Sequence, residues 1–258
     1  MRTPWTRGVS RRVLSLAVAA MAAAVGLSAQ SGMTATWRAQ PIVIDGLLAD
    51  WRALGALDRG PELGAVNDEE FLYLAVSGKE PHLLPPLATG LIVWIDPAGR
   101  RDRTFGIRVP GVLQPLLPGM TAEPAPAADA ISTKVLDRFD VLGPGENQRR
   151  LVDLTPDMGI ELAYGYSESE IIYEIRMPLQ KTSARPFAVG AARRPISLGL
   201  ATPEPPRDVH CRQRLVGSDG FIGGHPFFGG GFASFREPDG RVKPLEVWTT
   251  LTLASKTP

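Results

Sequence analysis

Apolar and polar positions along this chain alternate in short runs, each stopped by Gly, Pro, Asn or Asp. No stretch of about 12 or more residues keeps the 3.6-residue apolar period of a helix. Residues 42–44 (Ile-Val-Ile), ended by Asp45-Gly46, read as the first strand, and residues 47–54 as a turn or a single helical turn carrying Trp51. Residues 71–76 predict a strand with Leu72, Leu74 and Val76 on one face and Phe71, Tyr73 and Ala75 on the other. Asn67-Asp68-Glu69-Glu70 supplies a turn joining that strand to residues 63–66. Residues 91–95, closed by Asp96-Pro97-Ala98-Gly99, pair with residues 104–109, and residues 160–166 and 171–177 form a second hairpin. Residues 131–141, 196–201, 209–216 and 247–253 hold further candidates, while the Pro- and Ala-rich residues 110–130 read as a long loop.

About ten short strands with at most one helical turn predict an all-β protein, an antiparallel β-sandwich of jelly-roll or immunoglobulin-like two-sheet architecture. A barrel uses the same alternation and is the rival architecture. The 27 glycines and 24 prolines fit a chain of many turns.

The N-terminus predicts export. Arg2, Arg7, Arg11 and Arg12 precede an uncharged run from Val13 to Leu27, of signal-peptide length and short of the ~20 residues a bilayer span needs. Small residues follow, with Gly26 and Ser28 or Leu27 and Ala29 placed for cleavage, and Ser10-Arg11-Arg12-Val13-Leu14 fits most of a twin-arginine signal. The expected organisation is a signal peptide over 1–29, a short linker over 30–40 and one domain over 41–254, periplasmic or extracellular and without a membrane span after cleavage. Losing four arginines takes the balance from 28 basic against 27 acidic residues to 24 against 27, a net charge near −3. Such a surface offers no basic field for nucleic acid. Cys211 is the single cysteine, so the domain folds without an internal disulfide.

Four segments carry a resemblance. Ile42-Val43-Ile44-Asp45-Gly46 is followed by Asp50-Trp51, and next comes the hairpin from Val66-Asn67-Asp68 to Tyr73-Leu74. The third is Leu91-Ile92-Val93-Trp94-Ile95-Asp96-Pro97, and the fourth is Tyr173-Glu174-Ile175-Arg176-Met177-Pro178-Leu179. In this order they resemble family 9 carbohydrate-binding modules and related sandwich domains. The resemblance is carried by residues 41–109 and 173–179 and fades over 110–159 and 202–242. It implies a single carbohydrate-binding-type sandwich and a non-catalytic role in glycan recognition or breakdown. Fold alone does not establish sugar binding, because the same turns and the buried position expected of Trp51 are architecture.

Trp94 is the leading ligand candidate. With Leu91, Val93 and Ile95 on one face of their strand, Ile92, Trp94 and Asp96 fall on the other. A ring beside a carboxylate suits a sugar, whose C–H face packs on the aromatic while its hydroxyls donate to the acid. Arg108 and either Glu174 or Arg176 join the same face if neighbouring strands align. The alternative is a sheet covered on both sides, with Trp94 in the core. The segment 221–232, rich in Phe and Gly, reads either as a loop closing on a ligand or partner or as a cover for an open sheet end.

No cofactor is assigned from the residues. Sugar-binding sandwiches with structural calcium make Asp45, Asp50, Asp68 and Asp96 candidate oxygen ligands, although no loop shows dense acidic spacing. Some relatives of this sandwich bind haem. Met177 and His225 are the available axial ligands, yet there is no Cys-x-x-Cys-His, and haem is not expected. His82, His210 and His225 form no metal-ligand spacing. Nor does the chain carry a Gly-x-Ser-x-Gly elbow or a His-Glu-x-x-His helix, and no carboxylate pair stands out for glycoside hydrolysis. Expected partners are therefore a carbohydrate ligand or, in the alternative reading, an envelope protein docked on the sandwich as a scaffold.

Overall fold

The apolar alternation of the strands is satisfied by two sheets packed face to face. A computed structural model describes residues 32–112, 131–145, 147–190, 195–204 and 242–256. The predicted signal peptide, the strand at 209–216 and the Phe/Gly segment lie outside the described residues.

The first sheet contains β1 (Gly32–Thr34), β6 (Gly90–Asp96), β7 (Phe105–Pro110), β9 (Arg138–Leu142), β10 (Arg149–Asp153), β13 (Ile196–Ala201) and β14 (Glu246–Thr252). Its order is β1-β14-β13-β6-β7-β9-β10. The second contains β2 (Thr36–Trp37), β3 (Gly55–Ala56), β4 (Glu62–Asn67), β5 (Phe71–Gly78), β8 (Ser132–Val135), β11 (Glu161–Tyr166) and β12 (Ile171–Pro178). Its order is β2-β4-β5-β12-β11-β8, with β3 added to β4. The sandwich is mainly antiparallel, and the exceptions are two short N-terminal strands, β1 and β2, which pair parallel to β14 and β4. A five-residue helix, α1 (Leu84–Ala88), links β5 to β6 with Pro85 in its first turn, where the missing N–H costs nothing.

Period-two alternation decides which side chains enter the core. Leu91, Val93 and Ile95 of β6, Ile107 and Val109 of β7, and Leu198 and Leu200 of β13 point inward. They meet Leu72, Leu74 and Val76 of β5 and Tyr173, Ile175 and Met177 of β12, all essentially inaccessible to water. Both predicted hairpins are present, β4–β5 and β11–β12. The first turns at Asp68, whose Oδ1 accepts from the backbone N–H of Glu70 and Phe71.

Three readings need correction. Residues 42–44 join no ladder: Ile44 packs on the outer face of the second sheet, and the Val43 N–H donates to the Asp50 carboxylate. An apolar triplet thus covers a sheet instead of extending one. Residues 131–141 hold two strands, β8 and β9. The strand β10 was not foreseen, because Arg149-Arg150-Leu151-Val152-Asp153 is an exposed edge strand with little apolar alternation. No described helix is long and apolar enough to cross a membrane.

Candidate functional site

The outward residues of the first sheet form cross-strand rows. In one row Trp248 of β14 stands opposite Gly199 of β13, Gly199 opposite Trp94 of β6, Trp94 opposite Gly106 of β7, and Gly106 opposite Leu142 of β9. Each indole lies across the glycine beside it. A Cβ on Gly199 would stand 2.9 Å from three Trp248 ring atoms, and one on Gly106 would stand 2.7 Å from the Trp94 six-membered ring. Only a residue without a side chain lets a ring settle flat on the sheet at these points.

The two rings differ in exposure. Trp94 is fully buried, with Gly106 against its ring and the Arg103 guanidinium 5.9 Å from its ring centre. Trp248 is only half-buried and donates its indole N–H to Glu246 Oε1 at 2.9 Å. Arg103 closes the group by pairing with the same oxygen at 2.7 Å. Hydrogen bonds from Arg103 first, then Trp248, hold the Glu246 carboxyl below the usual carboxylate range, so it stays an acceptor.

The adjacent row places Ile92 opposite Arg108, and Arg108 opposite Asp140. Arg149 pairs with Asp140 Oδ2 at 2.8 Å. Among the described residues, four buried side-chain polar atoms have no hydrogen-bond partner: Trp94 Nε1, Arg108 Nε, Asp140 Oδ1 and Ser197 Oγ. All four belong to outward positions of this one sheet. Buried polar atoms are normally paired, so four unpaired ones on one face set it apart from the rest of the described structure.

Of the five residues expected on one ligand face, Trp94, Asp96 and Arg108 share this one, and Glu174 and Arg176 do not. Asp96 is buried and occupied: its carboxylate accepts from the backbone N–H of Ala98, Arg100 and Asp102, at 2.9, 2.6 and 3.1 Å. It builds the turn after β6 and has no free edge aimed at a sugar. Trp94 has no accessible surface either, whereas Trp248 in the same row keeps part of its surface accessible.

Glu174 and Arg176 lie on the outer face of the second sheet, across the sandwich. Glu174 Oε1 accepts from the Trp51 indole N–H at 2.6 Å, and Oε2 accepts from the backbone N–H of Asp45 and Gly46 at 2.9 and 2.6 Å. Burial pushes its carboxyl above the ordinary value against the pull of these donors. Arg176 pairs with Glu161 at 2.8 Å and covers the Phe71 ring at 4.7 Å. Glu174 fastens the 42–54 segment to β12, and Arg176 ties β12 to its neighbours β11 and β5.

The calcium candidates are spent on turns. Asp45 accepts from the Leu47 N–H, Asp50 from Val43, and Asp68 holds the β4–β5 turn and Arg38. Among the described residues no group of three or more His, Cys, Asp or Glu could hold a metal. Met177 is in the core between the sheets, and His225 lies outside the described residues.

Sequence reasoning missed Trp248, Arg103, Glu246, Asp140 and Arg149. The usable signal was Gly106 and Gly199, isolated glycines inside strand patterns, which announce a close approach.

These features define a two-sheet β-sandwich with an aromatic and charged outer face. No protein-family model matches the chain, and no curated protein sequence matches it. Among solved structures it is similar to a carbohydrate binding module family 9 from Caldicellulosiruptor kristjanssonii in complex with glucose, at 10% sequence identity and a TM-score of 0.38, over 87% of this chain and 96% of that one.

Proposed function

We propose that this is an exported, non-catalytic carbohydrate-binding protein whose ligand packs on Trp248 at the outer face of the first sheet. The observation that carries the reading is the row Trp248–Gly199–Trp94–Gly106, in which two rings lie flat on the sheet and the outer one is accessible. A pyranose has an apolar C–H face and a rim of hydroxyls. A half-exposed indole beside the Arg103–Glu246 pair offers a matching apolar surface with a donor and an acceptor at its edge. The cationic N-terminal segment followed by its apolar run supports export.

Pull-down on insoluble glycans, followed by calorimetry with soluble oligosaccharides, tests the reading. Binding that Trp248→Ala abolishes without changing the melting profile supports it. A broad panel with no binding at millimolar sugar overturns it.

A further inference from the structure

The strand β10 ends the first sheet, and its outer edge carries no strand among the described residues. Arg149, Arg150, Leu151 and Asp153 are exposed, and Leu151 keeps 57% of its surface in water. Two hydrogen bonds fix the phase of the ladder between β9 and β10. The Gly143 N–H donates to the Gln148 carbonyl at 3.0 Å, and the Leu154 N–H donates to the Asp137 carbonyl at 2.7 Å. With that phase Arg150 and Val152 turn their backbone groups to β9, whereas Arg149, Leu151 and Asp153 turn theirs to the open edge. Edges of this kind are commonly blunted by a lysine. The edge of the second sheet, β8, has one: joining its outward residues Thr133 and Val135 to those of a second copy would set Lys134 against Lys134. β10 instead carries opposite charges at its two ends, with an exposed leucine midway.

We infer that the chain forms a two-fold dimer in which β10 pairs antiparallel with β10 of a second copy, centred on Leu151, so that the two first sheets become one. In this register Leu151 exchanges both backbone hydrogen bonds with its own copy, and Arg149 does so with Asp153 of the second copy. Directly opposed residues share a face, so the two leucines meet and each Arg149 faces an Asp153 carboxylate. Arg149 already pairs with Asp140 through one nitrogen, and a guanidinium has further donors for a second carboxylate. The charges also select the register. Moving the second copy two residues one way sets Arg150 against Arg150, and two residues the other way sets Leu151 against Asp153. One short strand from each copy buries less than the ~800 Å² per partner of a standard interface, so the dimer dissociates on dilution in the micromolar range. The inference is independent of the carbohydrate reading.

The experiment is sedimentation velocity of the full chain over about 1 μM to 1 mM, with melting recorded for every variant. The wild type should pass from monomer to dimer across that range. Arg149→Glu alone and Asp153→Lys alone should each stay monomeric, because either change opposes like charges at both ends of the paired strands. An equimolar mixture of these two variants should dimerise again, since both ends then join opposite charges. Leu151→Pro removes an N–H aimed at the open edge and none that bonds β9, so it should abolish the dimer in a folded protein. Leu151 and Asp153 are exposed, so their variants decide the question if Arg149→Glu, which also loses Asp140, fails to fold. A wild type that is monomeric throughout overturns the inference. So does a dimer that survives Leu151→Pro, or one that Val135→Pro abolishes instead, which would place the contact on β8. A mixture of folded charge variants that stays monomeric overturns the antiparallel register.

Discussion

The six-membered ring of Trp94 lies across Gly106, its cross-strand partner, so closely that a Cβ there would stand 2.7 Å from the ring. The glycine is buried, and so is the whole Trp94 ring, so neither can yield freely. Gly106→Ala should destabilise the fold by about 1–3 kcal/mol, the usual range for overpacking. A double-mutant cycle in a Trp94→Leu background checks the cause. The alanine should cost clearly less there, because the smaller side chain leaves room; an equal cost would mean that the strand backbone, not the ring, rejects the methyl group.

Trp94 and Trp248 should separate stability from binding. Trp94 is buried completely, and Trp94→Ala should cost about 3–5 kcal/mol in denaturant unfolding. Trp248 is half-buried, so Trp248→Ala should cost well under half of that while removing sugar binding. Comparable destabilisation by the two changes would place both rings in the core and move the binding surface elsewhere.

Glu174 should prove to be a structural clasp. Three donors converge on its carboxylate, from the Trp51 indole and the backbone of Asp45 and Gly46. Glu174→Gln turns one acceptor oxygen into a donor facing another donor, and should lower stability by about 1–3 kcal/mol. Hydrogen exchange should show faster opening of residues 42–54, with sugar affinity unchanged. Loss of sugar binding in a stably folded Glu174→Gln protein would return this face to consideration as a ligand site.

The division between what the sequence announced and what it hid follows from the physics of each signal. Strands with a buried face declare themselves by alternation, which is why β5, β6, β12 and both hairpins were legible. The inward set Leu91, Val93 and Ile95 and the outward set Ile92, Trp94 and Asp96 of β6 were likewise separable. Alternation does not say what covers the outward set. It therefore could not tell that Asp96 is consumed by its own turn, or that Trp94 lies beneath Arg103. Nor does it fix strand order. Glu174 or Arg176 joined Trp94 only on the condition that neighbouring strands align, and β12 pairs with β5 and β11 in the other sheet. Trp248 was visible as a strand residue, and only the register shows that it stands against Gly199.

Asp96 should give the acid limb of the stability profile a component that can be assigned. Burial opposes its ionisation, but the backbone N–H groups of Asp102, Ala98 and Arg100, together with the Arg100 charge, outweigh burial and hold its carboxyl below the usual carboxylate range. An acid whose affinity for a proton falls on folding stabilises the native state when ionised. That contribution is complete above the ordinary carboxylate pKa of about 4, declines as the pH falls through it, and is gone below the lowered native value. Asp96→Asn keeps the shape and one acceptor oxygen, but it places an amide group where backbone donors converge, so it should cost about 1–3 kcal/mol at neutral pH. The gap between wild type and variant should then narrow as the pH is lowered from 5 toward 2, followed by urea unfolding at each pH. A gap that stays constant over that range would mean the carboxylate charge contributes nothing beyond the shape of the turn.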